Sequence, residues 1–361
     1  MTQSSDAIVP LGAMRFNSDS RKLEYWMGSA WMQIHTFSPN LGGISGQSGS
    51  IDGTGTRALF AGGYIAPGPC FNNVDAITVE TQGNTIDFNN LTASKCGGYG
   101  CADKTRAIYA GGRVSTTPGG SSTNDITSCT FSIQNDFVNQ SDLTASRAFG
   151  TGLSSATRAV FAGQAVPSYD NTIDFTNIQS LGDAVDFGDT AQKNAYAFST
   201  QSPTRGFVIG GLRVNAPDTA DYDTIEMFTI ATTGNGVDFG DITTTRYEGG
   251  GGGNATRGII AGGYGPNYTD RIEFFTLSSA GDATNFGDLS SGNNGTGKYS
   301  ASSPTRFVIG GGYGTSPHYG NTLEYINIAT QGDSVDFGDF INFGRRSLGD
   351  PHTSNGHGGL G

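Results

Sequence analysis

The residues in this chain that could do chemistry are few and scattered. Four histidines (His35, His318, His352 and His357) and four cysteines (Cys70, Cys96, Cys101 and Cys129) are spread over 361 residues. A copper radical site needs two histidines, tyrosines and a cysteine at the metal. His352 and His357 can meet His318 only if the chain end folds back, and no cysteine lies near them in sequence. No catalytic metal and no cofactor are expected. "CGGYGC" spaces Cys96 and Cys101 for a disulfide or half a metal site, but free thiols in a reducing cytoplasm are the favoured expectation, and a repeat-wide disulfide framework is excluded because the later repeats contain no cysteine. An anionic-sugar hydrolase would need arginines clustered around an acid and a tyrosine, whereas the arginines here recur at even intervals. "DFGD" occurs at 186–189, 238–241 and 336–339, with "NFGD" at 285–288. It is not a kinase metal motif, since no glycine-rich phosphate loop or catalytic loop accompanies it. The Asp-rich turns offer oxygen ligands for calcium, yet no EF-hand-like loop is present. The sequence therefore predicts a protein that is not an enzyme.

The arginines belong to a repeat. "TRALFAGG" begins at Thr56, "TRAIYAGG" at Thr105, "TRAVFAGQ" at Thr157, "TRGFVIGG" at Thr204, "TRGIIAGG" at Thr256 and "TRFVIGGG" at Thr305. The anchors lie 49, 52, 47, 52 and 49 residues apart, a period that points to a solenoid or propeller. The unit from Arg246 to Leu289 parses into four short extended segments. They run from Tyr247 to the anchor, then "RGIIAGG", "RIEFFTL" and "ATNFGDL", with glycine or proline between them and no helical periodicity. Four strands in about 50 residues make a propeller blade. A continuous apolar strand is one covered on both faces, and its closing glycines permit positive φ and close backbone approach. The fold expected for residues 41–361 is therefore a six-bladed, kelch-like all-β propeller. Arg57, Arg106, Arg158, Arg205, Arg257 and Arg306 are its structural repeat residues, expected to pair with Asp across blade junctions. The Phe of each "DFGD" is expected to pack between blades while Asp caps a turn. A basic residue stands ten positions before several anchors, at Lys95, Arg147 and Arg246, and Arg345 fits the register at the chain end. The tail "FGRRSLGDPHTSNGHGGLG" reads as the first strand of an unfinished unit. Either this tail or "LGGISGQSGSIDG" (41–53) closes the ring.

Residues 1–40 lie outside the repeats. They contain three strands, "AMRF", "KLEYW" and "WMQIHTF", and both tryptophans of the chain. A three-stranded meander of this size must lean on something else, so Phe16, Tyr25, Trp26 and Trp31 are candidate attachment residues. The chain carries a net charge of −12 and no basic block, which argues against nucleic acid and anionic membranes as partners. The N-terminus lacks the basic start and apolar core of a secretory signal. No apolar run reaches the roughly 20 residues of a membrane span, so a soluble chain without membrane insertion is expected.

"GAMRFNSDSRKLEYWMGSAWMQI" resembles the short β-module near the start of many tailed-phage fibre and virion proteins. "TRAVFAG", "NTIDF", the "GDAVDFGD" pattern and the terminal "NGHGG" resemble kelch-like repeats in virion structural proteins of marine tailed phages, notably those infecting cyanobacteria. Together these regions cover nearly the whole chain. The resemblance implies a virion location, assembly in the host cytoplasm, and docking to other virion proteins through residues 1–40. A position at the tail or fibre is favoured over decoration of the capsid exterior. The remaining alternative is a free carbohydrate-binding or carbohydrate-active propeller. Recognition would fall to the loops between second and third strands, which share one face and are rich in Tyr, Pro and Asn. They supply the candidate binding residues Tyr64, Phe71, Arg113, Tyr169, Arg213, Tyr222, Tyr264, Tyr268, Tyr313, His318 and Tyr319. A host-surface glycan or protein, or a second copy of the chain, would be the partner.

Overall fold

The computed structural model describes residues 10–17, 22–33, 56–65, 68–114, 120–215, 218–290, 297–314, 320–341 and 353–360. The chain divides into two compact units, Met1–Ser45 and Gly46–Gly361. No α-helix occurs among the described residues.

In the larger unit the anchors at Thr105, Thr157, Thr204, Thr256 and Thr305 each open the second strand of a four-stranded antiparallel sheet. Around Thr256 the strands Gly250–Gly253, Arg257–Ala261, Arg271–Thr276 and Thr284–Asp288 pair in chain order. The sheets at Thr105, Thr157, Thr204 and Thr305 repeat that order. The sheets, numbered one to six along the chain, stand side by side in a propeller-like arrangement. Their apolar strands show why the run in "RGIIAGG" is unbroken. Ile259 belongs to a core cluster shared with the sixth sheet, and its neighbour Ile260 to one shared with the fourth. Successive side chains of a strand point to opposite faces, so both faces must be apolar. Six such clusters occur among the described residues, each between two sheets. The last joins Ala58, Phe60, Ile77 and Val79 of the first sheet to Tyr299, Val308 and Phe337 of the sixth.

Sheet 1 is built differently. Its described strands are Arg57–Ala61, Phe71–Thr78, Ile86–Cys96 and the short Arg113–Val114. Alongside Arg57–Ala61 lies the chain's own C-terminal segment. Ala58 bridges Ser354 in antiparallel fashion, Leu59 N–H donates to Thr353 O (2.9 Å) and Asn355 N–H to Arg57 O (3.0 Å). The tail therefore occupies the inner edge of sheet 1. Segment 41–53 and Arg345 lie outside the described residues.

The junctions between sheets are made at the outer strand, and here the "DFGD" repeat finds its purpose. Gly281 N–H donates to Phe239 O (2.9 Å) and Ala283 N–H to Asp241 O (2.8 Å). Asp241 N–H returns a bond to Asp282 Oδ1 (3.1 Å). The turn of the fifth sheet thus hydrogen-bonds along the outer strand of the fourth. The same pattern joins the sixth sheet to the first, through Gly83 N–H to Phe337 O (2.8 Å), Thr85 N–H to Asp339 O (2.9 Å) and Asp339 N–H to Asn84 Oδ1 (3.0 Å). The Phe of the motif packs between sheets as expected: Phe187 meets Phe175 of its own sheet and Phe228 of the next, at 5.7 and 5.2 Å. The capping residue is the Asp or Asn of the neighbouring sheet's turn, whose side-chain oxygen accepts from the backbone N–H of the motif's last Asp.

Glycine is required in the motif because a Cβ on Gly240 (φ +153°) would overlap Gly281 O, and a Cβ on Gly338 would overlap Gly83 O. At Gly281 (φ +154°) a Cβ would meet nothing within 4 Å. Gly240→Ala should therefore cost about 1–3 kcal/mol from overpacking beyond the backbone strain that Gly281→Ala alone imposes. Urea unfolding of the two variants side by side checks the difference.

The repeated arginines correct the sequence expectation. They do cross the junctions, but they donate to backbone carbonyls and not to Asp. Arg158 Nη1 reaches Ile230 O (2.9 Å), Arg205 Nη1 reaches Leu277 O (2.9 Å) and Arg257 Nη1 reaches Ile328 O (2.8 Å). Arg57 and Arg106 bond Phe131 O and Ile178 O in the same way. Arg306 Nη1 reaches Glu80 O (2.8 Å), linking the sixth sheet to the first. Several guanidinium groups also lie over an aromatic ring of their own sheet: Arg158 over Phe175 (4.3 Å), Arg257 over Phe274 (5.0 Å) and Arg306 over Tyr325 (4.5 Å). A carbonyl is an available acceptor wherever a chain ends a strand, so no acid was needed.

The smaller unit is a three-stranded antiparallel sheet of Met14–Asn17, Lys22–Trp26 and Trp31–Gln33. Its register sets Met14, Tyr25 and Met32 abreast and Arg15, Glu24 and Gln33 abreast.

Candidate functional site

The second strand of each sheet ends on positive-φ glycine, for example Gly210 (φ 59°) with Gly211 (φ 104°) and Gly262 (φ 65°) with Gly263 (φ 103°). A Cβ on Gly210 would crowd Arg246 O, so the chain of one sheet closes against the entry to the next. The loops joining second and third strands leave from this end. Just before each first strand stands a residue in the left-handed region. These are Gly97 (φ 68°), Phe149 (φ 69°), Tyr196 (φ 56°), Glu248 (φ 57°) and Gly297 (φ 65°), at the entries to sheets two to six. They are chained by backbone bonds. Phe149 N–H donates to Gly97 O (2.7 Å), Tyr196 N–H to Phe149 O (2.8 Å), Glu248 N–H to Tyr196 O (2.8 Å) and Gly297 N–H to Glu248 O (2.6 Å).

From this arc an aromatic row extends into the loops. Phe149 stacks on Tyr196 at 5.3 Å, and Tyr196 lies 6.4 Å from Tyr247. Tyr247 meets Tyr264 at 5.7 Å, Tyr264 meets Tyr268 at 5.0 Å, and Tyr268 meets Tyr313 at 6.4 Å. All five tyrosines are half-buried. Glu248 is buried, and burial together with the charge of Glu248 pushes the Tyr169 phenol up.

Of the candidate binding residues, Tyr264, Tyr268 and Tyr313 come together in this row, and Tyr169 is near enough to Glu248 to feel its charge. Among the described residues no ring contact joins Tyr64, Phe71 or Tyr222 to it. Tyr64 bridges Cys70 within the loop of sheet 1, Phe71 pairs with Lys95, and Tyr222 N–H donates to Gly211 O (2.9 Å). Arg113 Nε is engaged by Gly120 O (3.0 Å). Arg213 lies in a hairpin of Leu212–Asn215 and Asp218–Asp221, while His318 and Tyr319 lie outside the described residues. Phe149, Tyr196, Tyr247 and Glu248 were not anticipated. The signal was there: they stand one or two places after Arg147, Asn194 and Arg246, where the Lys95 register reaches Gly97.

The opposite end is filled by the tail. Beyond Ser354 the chain turns inward and buries His357. His357 Nε2 donates to Ala102 O (2.8 Å), so Nδ1 accepts from Gly359 N–H (3.1 Å) and Gln201 Nε2 (3.0 Å). Ser154 Oγ lies 3.1 Å from Nε2. One imidazole thus links sheets two, three and four. Among the described residues no group of three or more His, Cys, Asp or Glu is arranged to hold a metal.

The cysteines differ from the sequence expectation. Cys70 and Cys96 are joined in a disulfide, with Cα atoms 5.6 Å apart. Cys101 and Cys129 remain free and buried. The loop of sheet 1 brings Cys70 to the entry of sheet 2, a pairing that sequence spacing alone does not reveal. Burial raises both free thiols, Cys129 to about 12. Native protein should therefore show no thiol reactive toward Ellman's reagent, two after unfolding and four after unfolding with reductant.

In the small unit the attachment residues split between two faces. Trp26 and Trp31 contact each other at 5.4 Å, Arg15 lies 4.2 Å over Trp31, and Arg15 Nη2 bonds Glu24 Oε2 at 2.8 Å. That face is self-satisfied. The other face presents Met14 and Phe16, 60 % and 64 % exposed, with Tyr25 and Met32. Phe16 and Tyr25 therefore lie on the exposed face, and the tryptophans on the other. No protein-family model and no curated protein shows significant sequence similarity to the chain.

Proposed function

We propose that this chain is a non-enzymatic virion protein of a tailed phage, a six-bladed propeller displayed for recognition of a host surface or a neighbouring protein. The propeller reading is supported by six junctions of one kind, the last running from the sixth sheet back to the first. The observation that carries the recognition role is the difference between the two ends of the sheets. Strands and junctions are consumed by one another, one end is filled by the tail around His357, and the other bears a row of half-buried tyrosines. Function on such a scaffold falls to its loops. Docking through the small unit is supported by its exposed Met14, Phe16, Tyr25 and Met32. The phage assignment rests on the resemblance of the "GAMRF…WMQI" module and of the repeats.

Labelling intact particles with an antibody to this chain tests the reading. Signal on the tail makes the tyrosine end a receptor-facing surface, and antibody against that end should then reduce adsorption. Signal on the capsid makes the chain a decoration protein instead. Absence from particles overturns the virion role.

A further inference from the structure

We infer that the apolar face of the small unit pairs with the same face of a second copy of the chain, two three-stranded sheets closing into a two-layer sandwich. This rests on the docking role proposed above for that unit and names what it docks to.

Strand alternation sets the face. Met14 and Phe16 of the first strand, Tyr25 of the second and Met32 of the third share one side of the sheet, with Met14, Tyr25 and Met32 abreast across all three strands. All four are exposed, and Leu11 and Met27 add exposed apolar surface at the adjoining turn. The opposite side has its own cover: Trp26 and Trp31 touch, and Arg15 lies over Trp31 and bonds Glu24. A sheet with one apolar face buries it against a second layer, and a meander this small needs such a layer to gain a core.

Charge and breadth then select the partner. Arg15 and Glu24 alternate to the other side, so the described residues of this face include no charged side chain. Residues 1–45 hold three acidic and three basic residues, which leaves the whole net charge of −12 on the larger unit. A charged partner surface would bury its ions here without compensation. Two copies of a neutral unit bring apolar side chains together and bury no charge. In the larger unit the exposed large apolar residues are spread around the sheets, with Val185, Val237 and Val335 on the third, fourth and sixth. The apolar face of matching breadth is that of another copy. Such pairing is isologous, each copy giving the same row, and unbranched methionine side chains fill the gaps between identical surfaces. Two such faces laid together would bury roughly 800–1,000 Å², short of the roughly 1,200 Å² of a standard interface. The pair is therefore weak, with a Kd on the order of tens of micromolar, and dilute chain is monomeric.

Sedimentation velocity of the full chain from about 1 to about 200 μM tests this. The sedimentation coefficient should rise with concentration toward that of a dimer and no further. Salt at about 0.5 M should strengthen the pairing, because it screens repulsion between the acidic larger units and leaves an apolar contact intact. Phe16→Ser should weaken pairing about tenfold or more, and Met32→Ser should do the same from a different strand. Both tryptophans belong to this unit and lie on its other side, so unchanged tryptophan emission shows that each variant keeps its sheet. The inference is overturned if the chain stays monomeric across the range, if it grows beyond a dimer, if salt disperses the pair, or if both variants pair as the wild type does. None of those results alters where an antibody finds the chain on particles, so this inference and the virion role fail separately.

Discussion

Removing residues 353–361 should abolish the folded state of the larger unit. The truncated chain is expected to elute as aggregate and to lack a cooperative thermal transition, while the full chain shows both a monomeric peak and a single transition. The reason is the number of buried groups the tail satisfies at once. Leu59 N–H and Arg57 O lose Thr353 and Asn355, Arg57 N–H loses Asn355 Oδ1 (2.7 Å), and Ser302 O loses Ser354 Oγ (2.5 Å). Each buried polar group left without a partner costs about 1–3 kcal/mol, against a typical total stability of about 5–15 kcal/mol. The bare edge of Arg57–Ala61 would also be open to pairing with other chains. His357→Ala is the milder companion. It removes the acceptor for Gly359 N–H and Gln201 Nε2 but leaves Thr353–Asn355 in place. A loss of about 2–4 kcal/mol with the fold retained is expected. Equal behaviour of the truncation and the wild-type chain would show that the tail is an ornament and that another segment holds the inner edge of sheet 1.

What could be read in the sequence follows from how local each feature is. The four strands of a repeat are set by alternation, turn residues and glycine within some 50 residues, and the unit around Thr256 folds as its pattern implies. The glycine pairs are equally local, since positive φ leaves its mark on residue type. The arginine partners are not: a guanidinium that bonds Ile230 O or Leu277 O leaves no mark at those positions, because any residue but the backbone itself can change there. The tail was recognisable as an unfinished unit. Its second role was not, because the value of His357 to Ala102, Ser154 and Gln201 exists only once three sheets converge. The candidate site was half legible. Tyrosine-rich loops singled out Tyr264, Tyr268 and Tyr313. Phe149, Tyr196 and Glu248 escaped notice because their common property is a backbone angle, and their side chains share no chemistry.

The buried basic residues before the anchors give the second large effect. Arg246→Ala should destabilise the protein by about 3–5 kcal/mol, the cost of leaving one member of a buried ion pair alone. Arg246 and Glu273 are both buried and bonded to one another. Arg246 also donates to Arg271 O (3.2 Å), and Glu273 accepts from Thr243 Oγ1, at the linker that enters the fifth sheet. Burial lowers the Arg246 pKa and the Glu273 charge opposes that shift, so the pair is held by mutual compensation rather than by a favourable site for either charge. Replacing both partners with apolar residues, as in Arg246→Met with Glu273→Leu, should then recover most of the loss. Sheet 4 shows what an acid does here without a base. Asn194 stands in the register of Arg246, Glu226 accepts from Ala191 N–H (2.8 Å), and burial pushes its carboxyl up. In Arg246→Ala the Glu273 carboxyl inherits that situation. A folded-state pKa raised above the unfolded value means that the variant's folded state takes up a proton as pH falls, which relieves the buried charge. The gap between wild type and variant should therefore be widest near neutral pH and narrow toward the ordinary carboxylate range of about 4.3. Urea unfolding at several pH values measures it. A gap that stays constant with pH, or a double variant no more stable than Arg246→Ala, would mean that Arg246 acts through packing against Phe198, 5.8 Å away, and not through its charge.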